Sequence, residues 1–440
     1  MTIYDASNAK LYGLNGSGCS PQAATIELYR ELGYTTMPVS GIHTVTIPGC
    51  VDGWNEVAQR FGRLELAQVL APAISYAEEG LAVGSDLYTA FTCMSMRAEV
   101  HRSWRKHFLP DDAVPPVGSV MRFPTLARTL HTIAKEGAVA FYRGAIAVPI
   151  SAFFTREGGL ITRDDLAAHR SEWVTPLSVP FAGLRIYELQ PNTQGITALQ
   201  TLRILDQLPL GDSPLAPETV HLAVEAKKLA FADREAYLID PEDMGIDPAT
   251  LIDPSYLARR CTLIDPARAR PSIVTGSFTG DTIYLCTAER DGNVVSLIQS
   301  NYMGFGSGVV VDKTGIVLQN RGAYFSLDTT SPNALAPMKR TLHTLIPSIA
   351  LRDGGSAMVF GTMGGDEQPQ IHLQVYTAVV QFGLSIQEAI EMPRWIHGAA
   401  TDGESIRVDS RVPPETLEIL RQRGHVVHPQ DMWSQEMGYA

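Results

Sequence analysis

Between residues 52 and 240, apolar side chains recur at the three- and four-residue intervals of a helix. Leu66, Val69 and Leu70 mark one such face, and Leu126 and Leu130 mark another. Pro217–Leu238 reads as one long amphipathic helix. Residues 1–50 read instead as short strands and turns. Tyr12-Gly13-Leu14-Asn15-Gly16-Ser17-Gly18 is turn-rich, and the β-branched alternation of Ile42–Ile47 predicts a strand. Residues 254–281 are looser and predict an exposed connector, with Pro266, Arg268, Arg270, Pro271 and Gly276 in it. After 281 the period shortens to two. Ile283–Glu289 and Val294–Ser300 predict strands joined through Arg290-Asp291-Gly292-Asn293, and Asp-Gly between two β-rich runs is a strong hairpin signal. Pro347–Leu351 and Ser356–Phe360 predict a second hairpin. Gly361-Thr362-Met363-Gly364-Gly365 then leads into a helix over 367–382, and Ser385-Ile386-Gln387-Glu388 is a capping box that opens a short one. A mostly helical half therefore precedes a strand-rich half, and the connector between them ends at Asp281-Thr282.

Composition narrows the function classes. By length, 440 residues suggest two to three domains or one large one. Hydrophobic and charged fractions of 45% and 19% exclude a disordered, collagen-like or disulfide-scaffold chain. A net charge of −12 argues against wrapping nucleic acid or an anionic membrane, both of which need positive surface. No apolar run reaches ~18 residues, so no membrane-crossing helix is expected, and the start has no signal-peptide pattern. Cys19, Cys50, Cys93, Cys261 and Cys286 are scattered and odd in number. They suit a reducing compartment, so a cytoplasmic protein is expected, without a zinc ribbon.

Several candidate sites carry little. Gly304-Phe305-Gly306-Ser307-Gly308 lacks the Lys-Ser/Thr and following helix of a phosphate loop, so a tight loop between strands is expected. His343, His372 and Glu367 show no metal-ligand spacing, and Asp164-Asp165 and Glu78-Glu79 are neighbours that do not face each other on a helix. Gly364-Gly365 before a helix supports two readings: an anion nest suited to a tetrahedral oxyanion, or a plain strand-to-helix turn. Thr282 matters only if the peptide bond before it is cut. A freed N-terminal threonine carries nucleophile and base together, because its α-amine, with a pKa of about 7.7–8.0, takes the proton from its own Oγ1.

These residues fall into a family pattern. Pro48-Gly49-Cys50-Val51-Asp52-Gly53-Trp54, Phe141-Tyr142-Arg143-Gly144, Gly158 through Leu166, and Glu225-Ala226 through Ala232-Asp233-Arg234 occur in the first half. Asp291-Gly292-Asn293, Phe305-Gly306-Ser307-Gly308, Gly315 through Asn320, Lys339-Arg340 and Gly364-Gly365 follow in the second. In order and spacing the chain resembles the γ-glutamyltransferases and the related cephalosporin-acylase-like proteins, which are N-terminal-nucleophile hydrolases. The match covers nearly the whole chain. The resemblance implies an α+β fold, a four-layer αββα sandwich of two stacked antiparallel sheets flanked by helices. It implies self-cleavage at Asp281–Thr282, nine residues before Asp291. Residues 1–281 would be the large subunit and 282–440 the small one, together one structural unit and a heterodimer of a single precursor. The usual N-terminal segment and C-terminal end of the family are expected to be missing. Thr282 would be nucleophile and base, Ser300 would support its amine, and Gly364 and Gly365 would give oxyanion N–H groups. No cofactor or metal is implied.

The departures are informative. The family's T-T-H at the cut is Thr282-Ile283-Tyr284 here. The arginine that grips the substrate α-carboxylate aligns with Ser17. The substrate-pocket positions fall on Tyr302, Arg321, Tyr324, His343 and Thr344. The nucleophile and oxyanion parts match while the amino-acid grip does not, and a site that loses its hydrogen-bonding partners loses discrimination. A guanidinium at 321 repels an ammonium and attracts a carboxylate. The expected function is an amide hydrolase or acyltransferase acting on γ-glutamyl or glutaryl-type amides, including glutathione-like and acylase substrates, with dicarboxylic acyl groups preferred and water or an amine as acceptor. The alternative is a non-catalytic or maturation-deficient member acting as a binding protein.

Overall fold

The computed structural model describes residues 1–97, 100–271, 281–352, 355–398, 403–434 and 437–440. The chain folds into two compact units. One comprises Met1–Leu14, Trp173–Ser300 and Leu342–Ala440, and the other Asn15–Glu172 and Asn301–Thr341. Each draws on residues from both sides of position 281.

The first unit stacks two sheets. One runs in the order Glu172–Val174, Lys10–Asn15, Thr2–Asp5, Val294–Tyr302, Asp281–Ala288. The other runs Gly355–Phe360, Ser348–Arg352, Leu184–Glu188, Leu177–Phe181, antiparallel throughout. Side chains alternate across a strand, so each strand of the second sheet serves two interfaces. Ile349 packs with Tyr4 and Val294 of the first sheet, while its neighbour Ala350 joins Ile186, Leu199, Leu202 and Ile371 in the core under the helices. Thr2 Oγ1 donates to the Pro347 carbonyl at 2.8 Å and ties the first sheet to the segment entering the second. Helices Gly195–Leu205, Pro217–Tyr237 and Gln368–Tyr376 supply the apolar cover. The observed class is the α+β class expected from the sequence.

The second unit is helical around a short ribbon. Val309–Val311 pairs with Ile316–Leu318, and Val309, Val311 and Leu318 are buried among Ile150, Phe153, Phe154 and Leu166. Ala138–Glu157 is apolar enough to cross a membrane by composition, but it is two helices, Ala138–Tyr142 and Ala147–Glu157, whose apolar residues fill this core.

Three sequence expectations change. Ile42–Ile47 is not a strand: Ile42–Thr44 is a 3-10 turn, because the Thr44 amide and hydroxyl both donate to the Gly41 carbonyl, at 3.2 and 2.7 Å. The connector begins with a helix, Pro254–Cys261. Asp253 caps it by accepting from the Ser255 and Tyr256 amides, and Pro254 suits its first position. Residues 272–280 of that connector lie outside the described residues. Pro217–Tyr237 is a helix, but it is buried on nearly every side rather than along one stripe, and even Lys227 and Lys228 are covered.

That burial creates a sensitive cluster. His221 and Glu225 lie one turn apart on this helix. His221 Nε2 meets the Asp265 carbonyl at 2.8 Å and so carries the proton, which leaves Nδ1 to accept from His425 Nε2 at 2.8 Å. Glu225 accepts from Lys228 at 2.7 Å and from the Arg270 amide. Burial, then the Lys228 ammonium, His221 and Arg423, draw the His425 imidazole down to about 3, and burial lowers His221 as well. Histidine in the unfolded chain titrates near 6.5, so below that pH the unfolded state binds the extra proton and stability falls toward acid. Urea unfolding should show a loss of stability between pH 6.5 and 5. In His425→Gln that loss should shrink by about 2 kcal/mol, at about 1.4 kcal/mol per pH unit. An unchanged pH dependence would refute the assignment.

Candidate active site

Strand Asp281–Ala288 is joined to Val294–Tyr302 by a tight turn, in which the Glu289 amide donates to the Asn293 carbonyl at 3.0 Å and Gly292 to the Glu289 carbonyl at 3.1 Å. The resulting register sets Thr282 beside Ser300. Thr282 is buried, and its Oγ1 donates to Ser300 Oγ at 3.1 Å. In the uncut chain Ser300 thus meets the threonine hydroxyl, whereas the resemblance assigns it to the amine. Asp281 begins the strand.

Residues i and i+2 share a strand face, so Tyr284 follows Thr282 inward. Its hydroxyl lies 3.0 Å from Ser296 Oγ, and Ser296 Oγ reaches the Phe360 carbonyl at 3.4 Å. Gly361 comes next, and a Cβ there would sit 2.2 Å from the Tyr284 ring. Only a glycine admits the ring. Burial raises the Tyr284 phenol far above the ordinary tyrosine range, so it keeps its proton. This contact ties the strand of Thr282 to the segment that delivers Gly364 and Gly365.

Gly364 and Gly365 have φ of 139° and 57°, a region that side chains disfavour. They open the 3-10 turn Gly365–Glu367, which runs on into helix Gln368–Tyr376. Backbone N–H groups at such a start favour negative charge. The Gly365 carbonyl and the Thr344 carbonyl both accept from Gln194 Nε2, each at 2.9 Å. The His343 amide donates to the Asn192 carbonyl at 2.8 Å, and the His343 carbonyl accepts from the Gln194 amide at 2.9 Å. Thr344 is buried. Arg234 Nη1 donates to Gln194 Oε1 and to Asp366 Oδ1, each at 2.8 Å. Burial, then the neighbouring Asp366, pushes the Glu367 carboxyl up to about 8, and burial, then Arg234, draws the Lys227 ammonium down to about 7. Gln194 and Asp366 were not singled out from the sequence, and Tyr284 stood there only as a departure at the cut. Arg234 lies inside the Ala232-Asp233-Arg234 motif, whereas no signal marked Gln194.

The second unit holds the other substrate candidates. Arg321 is buried with its guanidinium carbon 4.0 Å from the Tyr302 ring centre, and the Tyr302 and Tyr324 rings are 5.6 Å apart. Tyr302 has φ of 78°, a strained value for a bulky residue. The three form one aromatic–guanidinium cluster. The Ser17 carbonyl accepts from Arg340 Nε at 3.3 Å, and Arg340 also pairs with Glu172.

His372 Nδ1 pairs with Glu188 at 3.1 Å in the core, while its buried Nε2 meets no hydrogen-bond partner among the described residues. Among the described residues, His221, Glu225 and His425 have donor atoms within 4.8 Å of one another, close enough to hold a metal ion. The two rings bond each other and Lys228 occupies the carboxylate, so a hydrogen-bond network accounts for the group.

Comparison with known proteins fits this geometry. The family profile described as Gamma-glutamyltranspeptidase matches residues 1–438. The glutathione hydrolase-like YwrD proenzyme of Bacillus subtilis is 37% identical over 454 residues, covering 100% of this chain and 84% of the relative. The oxamate amidohydrolase proenzyme of Klebsiella pneumoniae is 38% identical, covering 97% of this chain and 82% of the relative. The crystal structure of cephalosporin acylase from Bacillus halodurans superposes with a TM-score of 0.92 at 40% identity, covering 99% of this chain and 81% of that one. Profile, relatives and fold agree: the chain belongs to the gamma-glutamyltranspeptidase family of N-terminal-nucleophile amide hydrolases.

Proposed function

We propose that the chain cuts itself between Asp281 and Thr282, that residues 1–281 and 282–440 stay together as a heterodimer, and that Thr282 is the catalytic nucleophile. The observation that carries this reading is the Thr282 hydroxyl at a strand start, 3.1 Å from Ser300 Oγ. In maturation, Thr282 Oγ1 attacks the Asp281 carbonyl, the acyl group shifts from nitrogen to oxygen and so frees the α-amine, and water then hydrolyses the ester to release the Asp281 carboxylate and restore the Thr282 hydroxyl. In turnover, that amine takes the Oγ1 proton as Oγ1 attacks an amide carbonyl. The Gly364 and Gly365 N–H groups stabilise the oxyanion. The leaving amine departs with the proton, and water or another amine then releases the acyl group from Thr282. A non-catalytic role finds no support among the relatives named above, which are named as enzymes.

The acyl donor we propose carries a carboxylate and no free α-ammonium. Position 321 supports this through the family correspondence, since its guanidinium stands where the substrate's amino group is held. His343, Thr344, Tyr302 and Tyr324 fill the remaining pocket positions of that correspondence. The relatives support it too: oxamate bears a carboxylate beside its amide, and one structural relative is a cephalosporin acylase. The glutathione hydrolase-like relative favours a second reading, in which γ-glutamyl amides are the donors. Cys50, Cys93, Cys261 and Cys286 carry free thiols, which supports a reducing compartment, and we place the protein in the cytoplasm.

Intact-mass spectrometry of the purified protein should show two chains, one ending at Asp281 and the other beginning at Thr282, and Thr282→Ala should give one uncut, inactive chain. A single chain in the active protein would refute the cut. Glutaryl p-nitroanilide, or ammonia release from oxamate, should exceed the γ-glutamyl anilide in kcat/KM by about tenfold or more. Arg321→Gln should cost the carboxylate-bearing donor about 10–100-fold. Preference for the γ-glutamyl compound would establish the second reading instead.

A further inference from the structure

The Ala232-Asp233-Arg234 motif takes no part in the chemistry above, yet its arginine reaches the glycine turn. Gln194, Arg234 and Asp366 are 0%, 3% and 2% exposed. The Gln194 side chain has two carbonyls on its nitrogen side, those of Thr344 and Gly365, and a guanidinium on its oxygen side, so its orientation is fixed by its partners. Arg234 is fixed in turn: Nη1 bridges Gln194 and Asp366, Nε and Nη2 meet Glu235 at 3.0 and 2.6 Å, and its carbon lies 4.3 Å from the Phe231 ring centre.

Peptide planarity turns these bonds into a direction. The Gly364 carbonyl accepts from the Glu367 amide at 3.1 Å. In a trans peptide the Gly365 N–H points opposite to that carbonyl. The next carbonyl, that of Gly365, is held by Gln194. Glycine has no side chain to hold its conformation, so these carbonyl contacts fix the two peptide planes that flank Gly365, the first of which carries its N–H.

We propose that Gln194, Arg234 and Asp366 form a positioning unit that holds the peptide planes flanking Gly365, and so aims the Gly365 N–H, and fixes Thr344 relative to it. This rests on the oxyanion role given to the two glycines above. Asp233, the neighbour of Arg234, provides the contrast. It accepts from Gln200 Nε2 at 2.9 Å, Tyr256 at 2.8 Å and Arg260 at 2.9 Å, and so secures helix Pro254–Cys261 with no bond to the glycine turn.

The test compares the mature forms of Gln194→Met, Arg234→Lys and Asp233→Asn. It measures kcat/KM on the better anilide, the Ki of a boronic acid that forms a tetrahedral adduct, the Ki of the product acid, and the melting temperature. Gln194→Met and Arg234→Lys should lose about 10–100-fold in kcat/KM, with the boronate Ki rising by a similar factor and the product Ki within about twofold. Asp233→Asn should melt lower yet keep kcat/KM within about twofold. If Arg234→Lys fails to fold, Gln194→Met decides, because it removes no charge. The proposal is overturned if Gln194→Met keeps kcat/KM within about threefold, or if product and boronate affinities fall together. Turnover by Thr282→Ala would instead overturn the nucleophile assignment, so the two failures are distinguishable.

Discussion

The pairing of Asp281–Ala288 with Val294–Tyr302 sets everything that follows at this site, because strand side chains alternate with a period of two. A slip of one residue would carry Thr282 to the opposite face and away from Ser300. The turn at 289–293 holds the register with backbone bonds at both ends, and Val294, Ser296 and Ile298 face inward behind it. Thr282 stands at the start of a strand at the edge of the sheet, so the proposed cut before it would remove no strand from the middle of the sheet.

Between the two sheets the protein accepts polar atoms in a dry interior, and it does so in linked pairs. Tyr284 meets Ser296, Ser296 meets Phe360, and Thr2 meets Pro347. Each bond joins groups that would cost about 1–3 kcal/mol if buried alone, so the set favours one stacking over any slid alternative. Gly361 extends the same fit, since its missing side chain is the space that the Tyr284 ring fills. The departure from the family's histidine at position 284 is therefore absorbed by local packing rather than left as a gap.

Much of this was legible in the chain. The strands around Thr282, the capping box at Ser385 and the helix from Pro217 all follow from local patterning and turn chemistry. Ile42–Thr44 misled because β-branched alternation describes a half-buried surface as well as a strand, and one threonine bonding back to Gly41 decided between them. Helix Pro254–Cys261 was hidden by the prolines around it, although Asp253 and Pro254 together are a helix-start signal. Gln194 was invisible for a deeper reason. Its importance lies in three partners from distant parts of the chain, at positions 234, 344 and 365, and no local pattern reports such a convergence.

Most of the family positions that this sequence keeps fall in one unit, and most of the substrate positions that it changes fall in the other. Thr282, Ser300, Gly364 and Gly365, together with the Gln194–Arg234–Asp366 set, all belong to the first unit. The departures at Ser17, Tyr302, Arg321 and Tyr324 all belong to the second. Ile283, Tyr284, His343 and Thr344 are the exceptions: Tyr284 is held by Ser296 and by the space at Gly361, and His343 and Thr344 each accept from Gln194 through a backbone carbonyl. A nucleophile and its oxyanion donors tolerate little change, because their energies depend on geometry within a few tenths of an ångström. On the proposed reading, the groups that recognise the remote end of a substrate are the ones exchanged, with an arginine beside two tyrosines standing at those positions. On that reading, the acyl donor changes by substitution at those positions while the proposed nucleophile and oxyanion donors stay as they are.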